Sequence, residues 1–299
     1  MNPTKWGVEK NSGTNKKKRF FLKQNSAIKR CRFDKKTIKL NSLTIMKNCV
    51  SYYGGKLSML CHILPLIPEH KKYVEPFAGG AAVFFAKEPV KTEVLNDTNR
   101  MVINFYEQAI QNPEKLKKQI NDTMHSRSLH HDCWVIYNHP HLFSKLELAK
   151  AFFVLSNQSF NKAIGPCWDF STKVGSKKAL LNEEFTKRLE NTQIECRDAN
   201  LVIKDRDSLD TFFYIDPPYY NSNCGHYGGY SIEDFEKLLI NLTKIKGKFI
   251  LSSYQSDILD KYVKENGWSL KSYDMLLCTS RQGKRKTEIL VANYLLPDN

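Results

Sequence analysis

The stretch "KYVEPFAGGAAVFFAK", residues 72–87, reads as strand, glycine loop and helix in that order. A second stretch, "KTEVLNDTNRMVINFYEQAI" at residues 91–110, repeats the alternation, with Asp97 or Thr98 able to cap its helix. Strand–helix alternation of this kind predicts a parallel, doubly wound α/β sheet. Upstream, "SYYGGKLSMLCHILPLIPEH" gives a glycine turn and an apolar-periodic helix from about Lys56, ended by prolines. Downstream the pattern changes. Residues 112–190 hold little strand signal, several histidines and one helical apolar run, "LELAKAFFVLSNQSF", which predicts a mainly helical insertion. Strands resume at "TQIECRDANLVI", "TFFYIDPPY", "GKFILSSY", "WSLKSYDMLL" and "KTEILVANYLL", the last two joined by the basic connection "CTSRQGKRK", which suits a hairpin. Three parts follow: a tail at 1–45, a sheet domain built from 46–111 and 191–299, and an insertion at 112–190.

The bulk numbers bound the class. A chain of 299 residues with 41% hydrophobic and 12% aromatic content folds around a sizeable core. No run of some twenty apolar residues and no n-region followed by an h-region occurs, so neither a membrane span nor a secretory signal is expected. The net charge of +15 is uneven: residues 1–45 hold thirteen Lys and Arg against only Glu9 and Asp34, and so carry +11 of it. A basic chain suggests a polyanionic partner. The tail has the composition of a solvated, disordered extension. The alternatives are an arm that grips phosphates without reading sequence, or a domain that begins at Met46. Eight cysteines are scattered without a C-x-x-C pair, and the eight histidines do not join them in a ligand spacing. Neither a metal site nor a disulfide framework is expected, and the setting is reducing and cytoplasmic.

Two motifs carry the chemistry. "FAGG" (Phe77–Gly80) lies between strand and helix, where glycines let a ligand approach the backbone and the helix N-terminus; a packing turn explains it equally well. Neither it nor "YYGGKL" has the spacing of a phosphate-binding P-loop. Asp97 ends the next strand about twenty residues later, the position at which dinucleotide folds bond ribose hydroxyls, or else a helix cap. Asp216-Pro217-Pro218-Tyr219 is the stronger signal, with a chance frequency of roughly one in a thousand for a chain of this length. Its prolines end the strand because they cannot donate to the ladder. Its carboxylate falls where open α/β sheets place ligands.

"YYGGK", "VEPFAGGAAVF", "LNDTN", "DPPY", "FILSSY" and "TEILVANY" stand in the order and spacing of the Dam-like DNA adenine-N6 methyltransferases, and the chain resembles that family over about residues 48–296. "NQSFN" and "GHYGGYSIEDFEKLL" are similar to phage-type members. The resemblance implies a Rossmann-like, S-adenosylmethionine-dependent methyltransferase sheet with an inserted target-recognition region. It implies S-adenosyl-L-methionine as cofactor, in a pocket lined by the turn Phe77-Ala78-Gly79-Gly80. Asp97 would hold the ribose, with Tyr52 and Lys56 bordering cofactor and active site. Tyr52 stands where the family often has tryptophan, and keeps the aromatic face.

The implied chemistry accounts for the tetrapeptide. Adenine's exocyclic amine is a poor nucleophile because its lone pair is delocalised into the ring. The Asp216 carboxylate and the Pro217 carbonyl can both accept hydrogen bonds from it, which aims the lone pair at the methyl donor. The prolines preorganise that acceptor pair. The target atom is unreachable inside a duplex, so the adenine must be flipped out, and Tyr219 would stack on it for roughly 1–3 kcal/mol.

DNA contacts are expected from the insertion, with Asn161 and Lys162 as candidates to read adenine and guanine or to meet phosphate, and plain loop residues as the alternative. Arg281 and Lys284, in "RQGKRK", are candidates for phosphate contact. "NSNCGHYGGY" is expected to be a loop that orders over substrate. The partners implied are double-stranded DNA and a cognate restriction endonuclease, with a monomer as the expected state.

Competing readings stay in view. Pro166-Cys167 suits a cytosine-C5 enzyme poorly, since it lies in the insertion and no Glu-Asn-Val partner occurs. Cytosine-N4 methylation uses the same acceptor geometry, though a serine-led tetrapeptide ending in tryptophan is more typical there. An RNA or protein amide methyltransferase and an inactive DNA-binding relative are the remaining alternatives.

Overall fold

In the computed structural model, whose described residues are 39–40, 43–44, 46–171, 174–220, 230–276 and 285–297, both quoted stretches adopt the expected alternation. Lys72–Glu75 forms β1 and Thr92–Asn96 forms β2, each followed by a helix, α1 at Ala82–Ala86 and α2 at Arg100–Gln111. The later strands are β3 (Thr192–Glu195), β4 (Thr211–Ile215), β5 (Lys248–Ser253), β6 (Ser269–Leu276) and β7 (Arg285–Ala292). Together they make one seven-stranded sheet of order β3-β2-β1-β4-β5-β7-β6. The first five strands are mutually parallel. β7 runs antiparallel to both neighbours, so β6 and β7 form the hairpin expected at the C-terminus.

The sheet's burial follows its composition. All five residues of β4, Thr-Phe-Phe-Tyr-Ile, are buried, as a central parallel strand covered on both faces requires. Strand order reverses between β1 and β4, and the crevice beyond their carboxyl ends is where such sheets bind ligands. The glycine loop leaves β1 there, and Asp216-Pro217 leaves β4 there.

Residues 112–190 are mainly helical, with α3 (Pro113–Asn121), α4 (Arg127–Asn138), α5 (Lys145–Gln158), α6 (Gly175–Lys178) and α7 (Glu183–Leu189). α5 begins with a capping box between Ser144 and Glu147 and is buried over much of its length. It packs against α2, α3 and α4. α7 is tied to the sheet by buried ions. Arg188 pairs with Glu93 of β2, its Nη2 lies 2.9 Å from the Phe84 carbonyl, and its guanidinium sits 3.7 Å from the Phe84 ring centre. Lys87 Nζ reaches the same Glu93 at 2.6 Å. A buried pair of this kind costs desolvation to form and is strongly destabilising to break.

The helix cap is a correction. Asn99, rather than Asp97 or Thr98, caps α2, its Oδ1 accepting from the Met101 amide at 3.0 Å. Asp97 is drawn instead towards the glycine loop. The N-terminal residues form a separate unit, in which Lys39–Leu40 and Leu43–Thr44 make a short antiparallel pair. Residues 1–38 of the expected tail lie outside the described residues.

Candidate active site

The glycine loop is held almost entirely by its own neighbours. Gly79 has φ of +45°, which favours glycine, and a Cβ there would lie 2.9 Å from Cδ1 of Tyr52. At Gly80 a Cβ would lie 2.7 Å from Asn48 Nδ2. Both glycines are thus required by packing under Tyr52 and Asn48. The Gly79 amide donates to Asp97 Oδ2 at 2.8 Å, and its carbonyl accepts from the Tyr106 hydroxyl at 2.8 Å. Asn48 donates to the Gly80 carbonyl at 2.5 Å. The loop is fixed before any ligand arrives.

Asp97 directly follows β2, each oxygen accepting one amide, Oδ2 from Gly79 and Oδ1 from Asn99, both at 2.8 Å. Each oxygen keeps capacity for a second donor. Burial pushes this carboxyl up, against the two amide bonds that hold it down. Asn99 Nδ2 in turn reaches the Tyr52 hydroxyl at 3.4 Å and the Tyr137 hydroxyl of α4 at 3.2 Å. Phe77 packs edge-on against Tyr230, whose buried hydroxyl has no partner among the described residues. An acceptor for hydroxyls, an aromatic wall and an open polar atom fit a nucleoside-bearing cofactor such as S-adenosylmethionine.

The second half of the site is built on Asp216. Its Oδ1 accepts from Lys56 Nζ at 2.7 Å and from the Tyr219 hydroxyl at 3.3 Å. Its Oδ2 makes no contact among the described residues, and the side chain keeps 19% exposure. Burial pushes the Asp216 carboxyl up, and the Lys56 ammonium opposes that rise. Lys56, at the start of a 3-10 turn at Lys56–Met59, also donates to the Gly54 carbonyl at 2.9 Å and lies 3.4 Å from Glu288 Oε1 on β7. The Tyr219 hydroxyl donates to Glu288 and lies 3.0 Å from Ser252 Oγ of β5, while Ser252 donates to Glu288 at 2.9 Å. Lys56 Nζ stands 5.0 Å from the Tyr219 ring centre, and Tyr254 packs edge-on against the same ring at 4.4 Å.

Two clusters therefore lie at the crevice: Tyr52, Phe77, Gly79, Gly80 and Asp97 in one, Lys56, Asp216, Pro217 and Tyr219 in the other. Asn99, Tyr106, Asn48, Ser252 and Glu288 join them without having been singled out in the sequence. Only Glu288 carried a usable signal, as a charge set inside the apolar strand "TEILVANY". The DNA candidates are placed differently. Asn161 and Lys162 form a tight turn with φ of +55° and +60°. Lys162 Nζ folds back to the Asn157 carbonyl at 3.2 Å and to Asp169 at 3.8 Å. Arg281 and Lys284, and most of the loop "NSNCGHYGGY", lie outside the described residues. Among the described residues no group of His, Cys, Asp and Glu could hold a metal, and no helix is long and apolar enough to cross a membrane.

A sheet of this order, with an acid-clasped glycine loop beside an Asp-Pro-Pro-Tyr carboxylate, is that of an S-adenosylmethionine-dependent methyltransferase acting on an amine. Residues 52–274 match the family of D12 class N6 adenine-specific DNA methyltransferases, and the chain belongs to it. It uses S-adenosyl-L-methionine to methylate adenine N6 in DNA. The chain is 29% identical to the type II methyltransferase M1.LlaDCHI of Lactococcus lactis subsp. cremoris, over 81% of this chain and 93% of that one. With the DNA N-6-adenine-methyltransferase of Escherichia phage P1 it shares 27% identity over 66% of its own length and 28% of the phage protein. With the type II methyltransferase M.CviBI of Paramecium bursaria Chlorella virus NC1A it shares 25%, over 83% and 100%.

Proposed function

We propose that Asp216 and Pro217 bind the N6 amine of an adenine flipped out of double-stranded DNA and aim its lone pair for direct transfer. The observation that carries this reading is the division of labour at Asp216. Lys56 and Tyr219 both engage Oδ1, while Oδ2 is open to an incoming donor. The Pro217 carbonyl likewise accepts no hydrogen bond among the described residues. Two adjacent acceptors suit two amine protons, and the rigid proline keeps their spacing. The bound cofactor supplies an electrophilic methyl group. Asp97 holds its ribose hydroxyls, Phe77 and the Tyr52-packed Gly79-Gly80 turn line its pocket, and Tyr219 stacks on the flipped base.

Residues 112–190 serve in this reading as the target-recognition region of the catalytic domain formed by 46–111 and 191–299. Their short turn at Asn161 and Lys162 faces DNA with backbone and Asn161, since the Lys162 amine is engaged locally. Arg281 and Lys284 meet phosphates. The enzyme acts in the cytoplasm as a monomer, and similarity to type II methyltransferases supports a cognate restriction endonuclease as partner.

The test is nucleoside mass spectrometry on DNA from methylation-deficient cells expressing the chain or its Asp216→Ala variant. N6-methyladenine is expected with the first and absent with the second. Undiminished methylation by the variant would remove Asp216 from the reaction.

A further inference from the structure

Glu288 has no part in the chemistry derived so far, yet it is a carboxylate 1% exposed, next to the apolar run Ile289–Ala292 of its strand. Such a charge is tolerated only where something requires it. It shares two partners with Asp216. Lys56 Nζ bridges the two carboxylates at 2.7 and 3.4 Å, and the Tyr219 hydroxyl touches both. We propose that Glu288 is a second carboxylate of the methyl-transfer site, a positioning residue that holds Asp216 through Lys56 and Tyr219 and receives, through Tyr219, the proton that N6 must release. This rests on Asp216 being the acceptor for the N6 amine.

Charge and proton counts both favour it. Lys56 alone would leave Asp216 in a neutral pair, a poor counter-ion for an amine that becomes cationic. With Glu288 ionised the cluster is net negative by one, and it faces the positive charge that develops at N6. Four close oxygen–oxygen contacts link the group: Tyr219 to Asp216, to Ser252 and to Glu288, and Ser252 to Glu288. The hydroxyls of Tyr219 and Ser252 supply only two protons for them. The cluster therefore has hydrogen-bonding room for a further proton, shared between the carboxylates.

The step balances. The N6 lone pair becomes the new N–CH3 bond, and the electron pair of the broken C–S bond stays on sulfur. N6 then carries one proton too many, which passes to Asp216, and the N–H electrons return to nitrogen. The carboxyl turns to bring that proton from the Oδ2 side to the Oδ1 side, and Asp216 hands it to the Tyr219 oxygen as Tyr219 gives its own to Glu288.

The groups that set the titration come from every neighbouring element: Lys56 before the first helix, Tyr214 and Asp216 at the end of β4, Tyr219 after it, and Glu75 at the end of β1. Across the ladder from Glu288 stands Tyr273, whose ring lies 4.4 Å from that of His62 at a tilt of 38°.

The experiment is a carbon-13 NMR titration of the Asp216 carboxyl in cofactor-free protein, with single-turnover methylation measured against pH. Glu288→Gln removes a like charge, so the Asp216 midpoint is expected to fall by about one pH unit. Tyr219→Phe removes a hydrogen bond to the ionised form, so the midpoint should rise. In the kinetics Glu288→Gln should be about tenfold slower, its acid limb displaced downward, and Glu288→Asp should recover part of the loss. Unmoved midpoints in both variants overturn the inference, as does a slower rate with an unshifted limb, which marks a merely structural carboxylate. Should Glu288→Gln fail to fold, Glu288→Ala and Glu288→Asp decide the matter: an Asp216 midpoint unmoved in both overturns the inference. An inactive Asp216→Asn beside a wild-type-like Glu288→Gln rejects this inference alone, whereas an active Asp216→Asn rejects the reading beneath it.

Discussion

The Tyr137 hydroxyl, on the insertion, lies 3.2 Å from the side-chain amide of Asn99, at the start of the helix that follows β2. The same amide touches Tyr52, which packs on Gly79. A contact on the insertion is thus linked to the glycine loop through two residues, Asn99 and Tyr52. Asn99→Ser keeps an oxygen to cap α2 but cannot reach either tyrosine. Its melting temperature should stay near that of wild type, while Asn99→Ala loses about 1 kcal/mol. Calorimetry of S-adenosylmethionine with and without DNA should show less mutual enhancement in the serine variant.

Lys56→Met leaves Asp216 and Glu288 as two buried acids without their shared cation. Removing one partner of a buried pair costs about 3–5 kcal/mol. The Asp216 carboxyl, already raised by burial, loses the ammonium that opposes the rise. Methylation should fall about a hundredfold at neutral pH, and raising the pH should recover part of it as Asp216 ionises. A rate independent of pH in the variant would count against this.

Asp97→Asn keeps one carbonyl oxygen for the two amides that now share a carboxylate. One amide loses its acceptor, and the charge-assisted bond proposed for the cofactor's ribose would become a neutral one. Affinity for S-adenosylmethionine should weaken by about 1–3 kcal/mol, read by calorimetry, with DNA binding in the absence of cofactor unchanged.

Glu75 offers a test of stability. Burial pushes its carboxyl up to about 8 from an ordinary 4.5, although Tyr73 at 2.8 Å and the Phe84 amide at 3.2 Å both donate to it. The folded protein binds this proton more tightly than the unfolded chain. Its contribution is therefore fully present below pH 4.5 and is lost as pH rises through 8, a change on the order of 5 kcal/mol. Glu75→Gln keeps the acceptor and has no proton to lose. Between pH 6 and 9 its melting temperature should decline less than that of wild type.

Much of this was readable from the chain, for identifiable reasons. β4 was legible because its apolar run stops at two prolines, and a strand ended that way has few other readings. Asp97 and Asp216 were legible because each follows such a strand directly. The charge of Glu288 stood out in its strand, but its partners did not, since a single charge says nothing of which side chains stand opposite it until β7 is set beside β5. The helix cap went to Asn99 because Asp97 is taken by the Gly79 amide, a contact across eighteen residues that local capping rules do not weigh. Lys162 turned inward for the same kind of reason: Asp169, on the far side of its loop, is an anion within its reach.

The buried ions around Glu93 bear on engineering. Arg188 closes the insertion onto β2 and onto the carbonyl of Phe84, both belonging to the sheet domain. The insertion is therefore not a free cassette. A chimera that exchanges residues 112–190 between relatives would part Arg188 from Glu93 and set against that acid a residue it was never paired with. Grafts should carry position 93 along with position 188, or end before α7 and leave the latch in the host.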